Sequence, residues 1–154
     1  ETTRLVISLI EKYIKKGDRV LDLGCGSGIL SICASKLGAS FCAAYDIDPV
    51  AVRVANENIE KSGQQNIVCG ISDLLGSVDR TGGGFDLIVA NIVADIIIRL
   101  TPDISGFMNA GALFIVSGII SERAQDIRDA LAKNGFKVID ELSDNGWCAM
   151  LAKL

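Results

Sequence analysis

The chain contains no histidine. A Ser-His-Asp triad, a histidine-ligated zinc and an imidazole general base are therefore excluded, and the chemistry has to run without them. There is no C-x-x-C pair either. The five cysteines, Cys25, Cys33, Cys42, Cys69 and Cys148, are scattered and sit mostly in apolar runs. That pattern points to buried free thiols in a reducing cytoplasm, with no metal centre. No apolar run reaches the roughly 18 uninterrupted residues of a membrane-spanning helix, and the opening residues lack a signal-peptide pattern, so a cytoplasmic location with no membrane partner is expected. Positive charge is not in excess. A net charge of −4 and a pI near 4.8 leave no broad electrostatic footprint for direct nucleic-acid binding, and the partner is either basic or small. No internal repeat, low-complexity tract or linker divides the chain, and the oligomeric state is left open.

What is present is a globular composition: 154 residues, 49% of them hydrophobic. A single domain of this length buries roughly 70% of its unfolded-chain surface. The organising stretch is Val20-Leu21-Asp22-Leu23-Gly24-Cys25-Gly26-Ser27-Gly28-Ile29-Leu30. A short apolar run ends beside an acid, three glycines alternate, and an amphipathic segment follows. This reads as a buried strand, a tight turn and a helix start, where bare backbone approaches a ligand at the carboxyl end of a parallel strand. The spacing is G-x-G-x-G, not the dinucleotide G-x-G-x-x-G. Asp22 beside the loop suits a ligand carrying an ammonium group and disfavours a pyrophosphate, which favours S-adenosylmethionine over a nicotinamide cofactor.

The rest of the chain alternates. A helix is expected over residues 1–16, capped by Thr2 or Thr3, then strands at 19–23, 41–47, 66–70, 85–90 and 111–117 separated by helices at 29–37, 49–62, 92–107 (interrupted by Pro102) and 121–134. Strands at 136–142 and 147–154 flank an Asp144-Asn145-Gly146 turn, a strong hairpin signal. The pattern is α/β: a doubly wound, seven-stranded, mostly parallel sheet with a terminal antiparallel strand. Asp46 falls at the end of the second strand, about 20 residues past the glycines, where a carboxylate takes a ribose diol; Asp48 is better placed to cap the next helix. Ser72 and Asp73 leave the sheet near the expected adenine, as ligand contacts or as a polar turn. Asn91 ends the fourth strand beside the glycine loop.

Asp22 to Gly28, Asp46 and Asn91 resemble the class I S-adenosylmethionine-dependent methyltransferases. A wider set of runs is similar to the bacterial ribosomal protein methyltransferase family, PrmA: Glu1-Thr2-Thr3-Arg4, Leu23 to Ile32, Asp46-Ile47-Asp48-Pro49-Val50-Ala51-Val52, Ala90-Asn91-Ile92-Val93-Ala94 and Ser117-Gly118-Ile119. The resemblance implies a protein N-methyltransferase that trimethylates amino groups of a large-subunit ribosomal protein and releases S-adenosylhomocysteine. It implies cofactor contacts at Thr3, Gly24, Asp46 and Asn91; the residue reading of the glycine loop and strand ends adds Asp22, Gly26, Gly28, Ile47 and Asp73, and Asn91 is also the candidate catalytic residue. It further implies that the chain is a piece of a longer protein, lacking an amino-terminal substrate domain and the glycine-rich segment ahead of Thr3.

Many amine methyltransferases carry Asn-Pro-Pro-aromatic at the Asn91 position. Here the run is Asn91-Ile92-Val93-Ala94, so the oxygen acceptor is kept and the aromatic is not. Trp147 is read either as its replacement or as a core aromatic of the hairpin. Asp95 is read either as a contact for a cationic substrate or as a helix-start carboxylate. The alternatives are a methyltransferase for another protein lysine or a small amine, and a non-catalytic S-adenosylmethionine-binding module.

Overall fold

Phe85 to Ala90 has no polar alternation apart from Asp86 and reads as a strand covered on both faces. The computed structural model, which describes residues Glu1–Leu154, places it at the centre of the sheet. The elements in order are α1 (Thr2–Tyr13), β1 (Arg19–Leu23), α2 (Ile29–Lys36), β2 (Phe41–Asp46), α3 (Pro49–Ser62), β3 (Ile67–Ile71), β4 (Phe85–Asn91), α4 (Ala94–Ile104), β5 (Met108–Ile120), α5 (Ala124–Lys133), β6 (Lys137–Asp144) and β7 (Trp147–Lys153). The seven strands are ordered β3-β2-β1-β4-β5-β7-β6. Neighbours from β3 to β5 run parallel, and β7 alone runs against the rest, inserted between β5 and β6. The order reverses between β1 and β4, so the carboxyl ends of those two strands open the crevice where doubly wound sheets take ligands.

Period-two alternation divides the sheet residues between two cores. Leu21, Leu23, Ile88 and Ala90 face α4 and α5, packing on Ile97, Leu100, Ile127 and Leu131. Val20, Leu87 and Val89 face α1, α2 and α3, packing on Val6, Leu9, Leu30 and Ile59. Phe85, Phe114 and Ile88 are wholly buried; each such side chain contributes roughly 1.5–3 kcal/mol relative to exposure.

Several boundaries depart from expectation. The fourth helix begins at Ala94, because Val93 is extended at its N-cap (φ −65°, ψ 151°). It runs through Pro102 to Ile104 and then tightens into a short 3-10 turn at Ser105–Phe107. Pro102 sits in the last helical turn and so does not split the helix. The fifth strand is thirteen residues long, extended at both ends by pairing with β4 and β7. At the hairpin, Asn145 and Gly146 both take positive φ (49° and 82°), as the primed turns that match strand twist require. The end of α1 is tied to β6: Asp140 Oδ2 accepts from Tyr13 Oη at 2.6 Å and from Lys12 Nζ at 2.8 Å. That holds the helix across the sheet and brings Thr2 to the crevice.

Candidate active site

The bend after Leu23 is held by one carbonyl. The N–H groups of Gly24 and Cys25 both donate to Tyr45 O, at 2.8 and 2.9 Å, which ties the loop to the end of β2. Gly24 has φ +69°, and a Cβ there would lie 2.5 Å from Ile92 Cγ2. Only glycine lets the β1 loop and the residue after β4 come this close.

Asp46 sits between loop and helix. Its Oδ2 accepts from Gly26 N–H at 3.0 Å and its Oδ1 from Asp48 N–H at 3.0 Å. Asp48 caps α3, its Oδ1 accepting from Val50 N–H at 2.9 Å. The two aspartates thus take separate roles, as their spacing suggested. A carboxylate oxygen has two acceptor positions, so Asp46 keeps capacity for hydroxyl donors. It lines a cleft of about 240 Å³ with Gly24, Ile47, Ser72, Asp73, Ile92 and Arg99 among its walls. Ile47 is 63% exposed, an apolar side chain left open at the mouth. Ser72 is buried, and its hydroxyl holds the turn after β3: Oγ donates to Leu74 O and accepts from Ser77 N–H. Asp73 also lines a neighbouring groove together with Arg99.

On the other side of Ile92 lies a second cleft of about 380 Å³, walled by Thr2, Asn91, Ile92, Val93, Gly118 and Trp147. Ile92 belongs to both clefts and separates them. Asn91 Oδ1 is buried and has no hydrogen-bond partner. A buried acceptor without a donor is costly, so it marks a place where a guest N–H would be welcome. Trp147 opens β7 as a half-buried side chain on this cleft; its hairpin position and its place at the cleft are one fact. Asp95 is in the first turn of α4 and pairs with Arg123 Nη2 at 2.7 Å.

Asp22 lies beneath the loop, only 1% exposed. Ser31 Oγ donates to its Oδ2 at 2.8 Å, and its Oδ1 has no partner. Burial pushes its carboxyl up to about 6, with the Asp46 charge acting in the same direction and the Ser31 hydrogen bonds opposing. Because the folded chain holds this proton more tightly, the stability it contributes is full below about pH 4 and is lost as pH rises through about 6. The shift amounts to roughly 3 kcal/mol at about 1.36 kcal/mol per pH unit. Asp22→Asn, which stays neutral, is expected to flatten the stability profile of the ligand-free chain between pH 4 and 7. Urea denaturation across that range checks it; a profile as steep as that of the parent chain would clear Asp22 of the effect.

Of the residues singled out from sequence, Gly24, Asp46, Ile47, Asp73 and Asn91 line the two clefts. Asp22, Gly26 and Gly28 shape the loop from behind and line neither. Thr3 lies in the first turn of α1, and its neighbour Thr2 is the one on the cleft wall. Arg99, Ile96 and Leu74 were not anticipated. They come from α4 and from the connection after β3, and no local pattern marks them. Gly118 lies inside β5, past the expected end of that strand at residue 117, and a glycine within a strand marks close backbone approach. A Cβ there would meet Ile92 O at 2.6 Å.

Comparison with known proteins gives the family. The profile of the family described as ribosomal protein L11 methyltransferase (PrmA) matches residues 1–154. The ribosomal protein L11 methyltransferase of Clostridium botulinum (strain Eklund 17B / Type B) is 45% identical over 154 residues, 100% of this chain and 48% of that protein. That of Ruminiclostridium cellulolyticum is 46% identical over 153 residues, 99% of this chain and 48% of that protein. The chain therefore spans about half the length of these relatives. The crystal structure of ribosomal protein L11 methylase from Lactobacillus delbrueckii subsp. bulgaricus superposes with a TM-score of 0.93 at 38% identity, over 99% of this chain and 78% of that one. The M1A22 tRNA methyltransferase TrmK of B. subtilis shares the fold alone, with a TM-score of 0.78 at 23% identity, over 96% of this chain and 64% of that one. With a profile match from the first residue to the last and relatives above 40% identity, the chain belongs to the ribosomal protein L11 methyltransferase (PrmA) family.

Proposed function

We propose that this chain is the S-adenosylmethionine-binding, methyl-transferring part of an enzyme that methylates amines of a large-subunit ribosomal protein. The observation that carries the reading is the unpaired Asn91 Oδ1 in a cleft separated by one side chain, Ile92, from the cleft that Asp46 lines. The names of the relatives support the ribosomal substrate. The rest of those relatives' length is where a substrate-holding domain would lie.

The residues present suit the cofactor. Asp46 has spare acceptor capacity for a ribose diol, Ile47 and Ile96 offer apolar surface for adenine, and Asp73 offers an acceptor for its amino group. Asp22, sealed beneath the loop and on the wall of neither cleft, supports the loop from behind. When bound, S-adenosylmethionine supplies a methyl on a sulfonium whose leaving group is a neutral thioether, S-adenosylhomocysteine.

This chain's own contribution is positioning. Asn91 Oδ1 accepts an N–H from the incoming amine and turns its lone pair toward the adenosyl cleft. A free lysine has a pKa of about 10.4, and the apolar side chains of Ile92 and Val93 on the cleft wall disfavour the ammonium, lowering that value. The face of Trp147 also stabilises the methylated cation as it forms. With no histidine in the chain, the proton goes to water or to a substrate group.

Calorimetric titration with S-adenosylhomocysteine tests the cofactor site. Asp46→Ala is expected to weaken binding by about 1.5–3 kcal/mol, the range for hydrogen bonds to a charged group, or roughly ten- to a hundredfold. Unchanged affinity would remove Asp46 from the site. Transfer of labelled methyl to purified large-subunit ribosomal proteins tests the acceptor.

A further inference from the structure

The glycine loop carries a thiol that the methyl-transfer reaction does not use. Cys25 stands between Gly24 and Gly26 and is 6% exposed. Its Sγ lies 3.9 Å from Sγ of Cys69 on β3, in hydrogen-bond contact. The two are 44 residues apart in sequence, and the parallel pairing of β2 with β3 brings them together, with Cys69 opposite Ala44. Cys25, Ala44 and Ala55 form a small cluster of their own, and Cys69 packs against it. No other pair among the five free cysteines makes such a contact.

The structure assigns Cys25 and Cys69 as an oxidation site: a dithiol that a peroxide converts to a disulfide, distorting the glycine loop and weakening the adenosyl site. The consequence for ligand binding rests on the cofactor reading above. A disulfide needs the sulfurs about 2.05 Å apart, so they must close by roughly 2 Å. Cys25 is the mobile partner, because Cys69 is held in a strand and Cys25 is in a bend. That bend is where Gly24 and Cys25 N–H meet Tyr45 O, Gly26 N–H meets Asp46 Oδ2 and Gly28 N–H meets Cys25 O. Drawing Cys25 toward β3 displaces the glycines on both sides of it.

The roles of the two thiols differ. Cys69 is half-buried on the outermost strand, and its contact with the Cys25 thiol pulls its pKa down. The same contact and burial push Cys25 up. Burial also raises Cys33 and Cys148, and Cys42 to about 12, so those three remain poor nucleophiles. The Cys69 thiolate attacks the peroxide: an S–O bond forms, the O–O bond breaks and hydroxide leaves, giving a sulfenic acid. The Cys25 sulfur then attacks the sulfenic sulfur; the S–S bond forms, the S–O bond breaks, and the departing hydroxide takes the thiol proton as water. In sum two thiols lose two electrons and two protons, and one hydrogen peroxide becomes two waters.

The test treats the whole 154-residue chain with hydrogen peroxide, maps cross-linked peptides by mass spectrometry and titrates S-adenosylhomocysteine before and after. Expected are a Cys25–Cys69 linked peptide, a loss of affinity of at least tenfold, and recovery with dithiothreitol. Cys69→Ser and Cys69→Ala chains are expected to keep their affinity through the same treatment. Absence of the linked peptide overturns the dithiol and leaves cofactor binding intact. A linked chain that still binds within twofold overturns the effect on the loop. A reduced chain that does not bind S-adenosylhomocysteine removes the cofactor reading itself, and the proposed consequence with it.

Discussion

Asn91→Ala is expected to lower methyl transfer roughly a hundredfold, the scale of a misplaced reacting atom, while S-adenosylhomocysteine affinity changes less than fivefold. The folded chain should not suffer. Asn91 Oδ1 accepts from no group, so removing it breaks no hydrogen bond and relieves a buried acceptor left unpaired. Thermal stability is expected to hold or rise slightly. That combination separates a role toward the amine from a role in the fold. A structural asparagine would show the reverse, with a fall in melting temperature and proportionate loss of every activity. The measurements are single-turnover transfer to the proposed ribosomal protein acceptor by the full-length enzyme, calorimetry with S-adenosylhomocysteine, and a thermal melt. Turnover near that of the parent chain would leave Asn91 without a role toward the amine.

Gly118→Ala is expected to destabilise the chain by about 3 kcal/mol or more, from left-handed backbone strain together with overpacking. Gly118 has φ +81°, and its Cβ would lie 2.6 Å from Ile92 O, 3.0 Å from Ile92 C and 3.1 Å from Ile92 N. All three are backbone atoms, at a point where Ile92 N–H donates to Ser117 O at 3.0 Å. Relief requires β5 to move away from the turn that follows Asn91, the last residue of β4. Gly24→Ala makes an instructive contrast. Its Cβ would strike Ile92 Cγ2, the end of a side chain, at 2.5 Å. Ile92→Ala is therefore expected to recover part of the stability lost in Gly24→Ala and none of that lost in Gly118→Ala. A double-mutant cycle read by urea denaturation checks this. Equal coupling of Ile92 to both glycines would refute the distinction between side-chain and backbone contact.

The two clefts differ in how far they could be read from local pattern. Gly24, Asp46 and Ile47 could be placed together at one cleft because a carboxylate at a strand end and glycines at a strand-to-helix turn are local devices with a fixed spacing. Asp48 was legible as a cap for the same reason, and the Asn145–Gly146 turn because only a few residues tolerate positive φ. The second cleft is assembled from α1, β4, β5 and β7, and its members share no spacing. Trp147 had two readings from sequence and occupies the cleft once β7 is inserted between β5 and β6. The cysteines looked scattered, yet two of them touch, because β2–β3 pairing closes a distance that composition does not record.

From its residues alone this chain specifies an alternating α/β order, a reversed final strand and a glycine bend beside an acid. These follow from periodicity, turn stereochemistry and composition, which act within a few neighbours along the chain. Tertiary structure alone decided which of Thr2 and Thr3 faces the crevice, that Asp22 is sealed beneath the loop, that Ile92 divides two clefts, and that Cys25 meets Cys69. Each of these depends on register between strands and on the packing of helices against the sheet. Burial and close approach are properties of pairs distant in sequence, and no single segment encodes them.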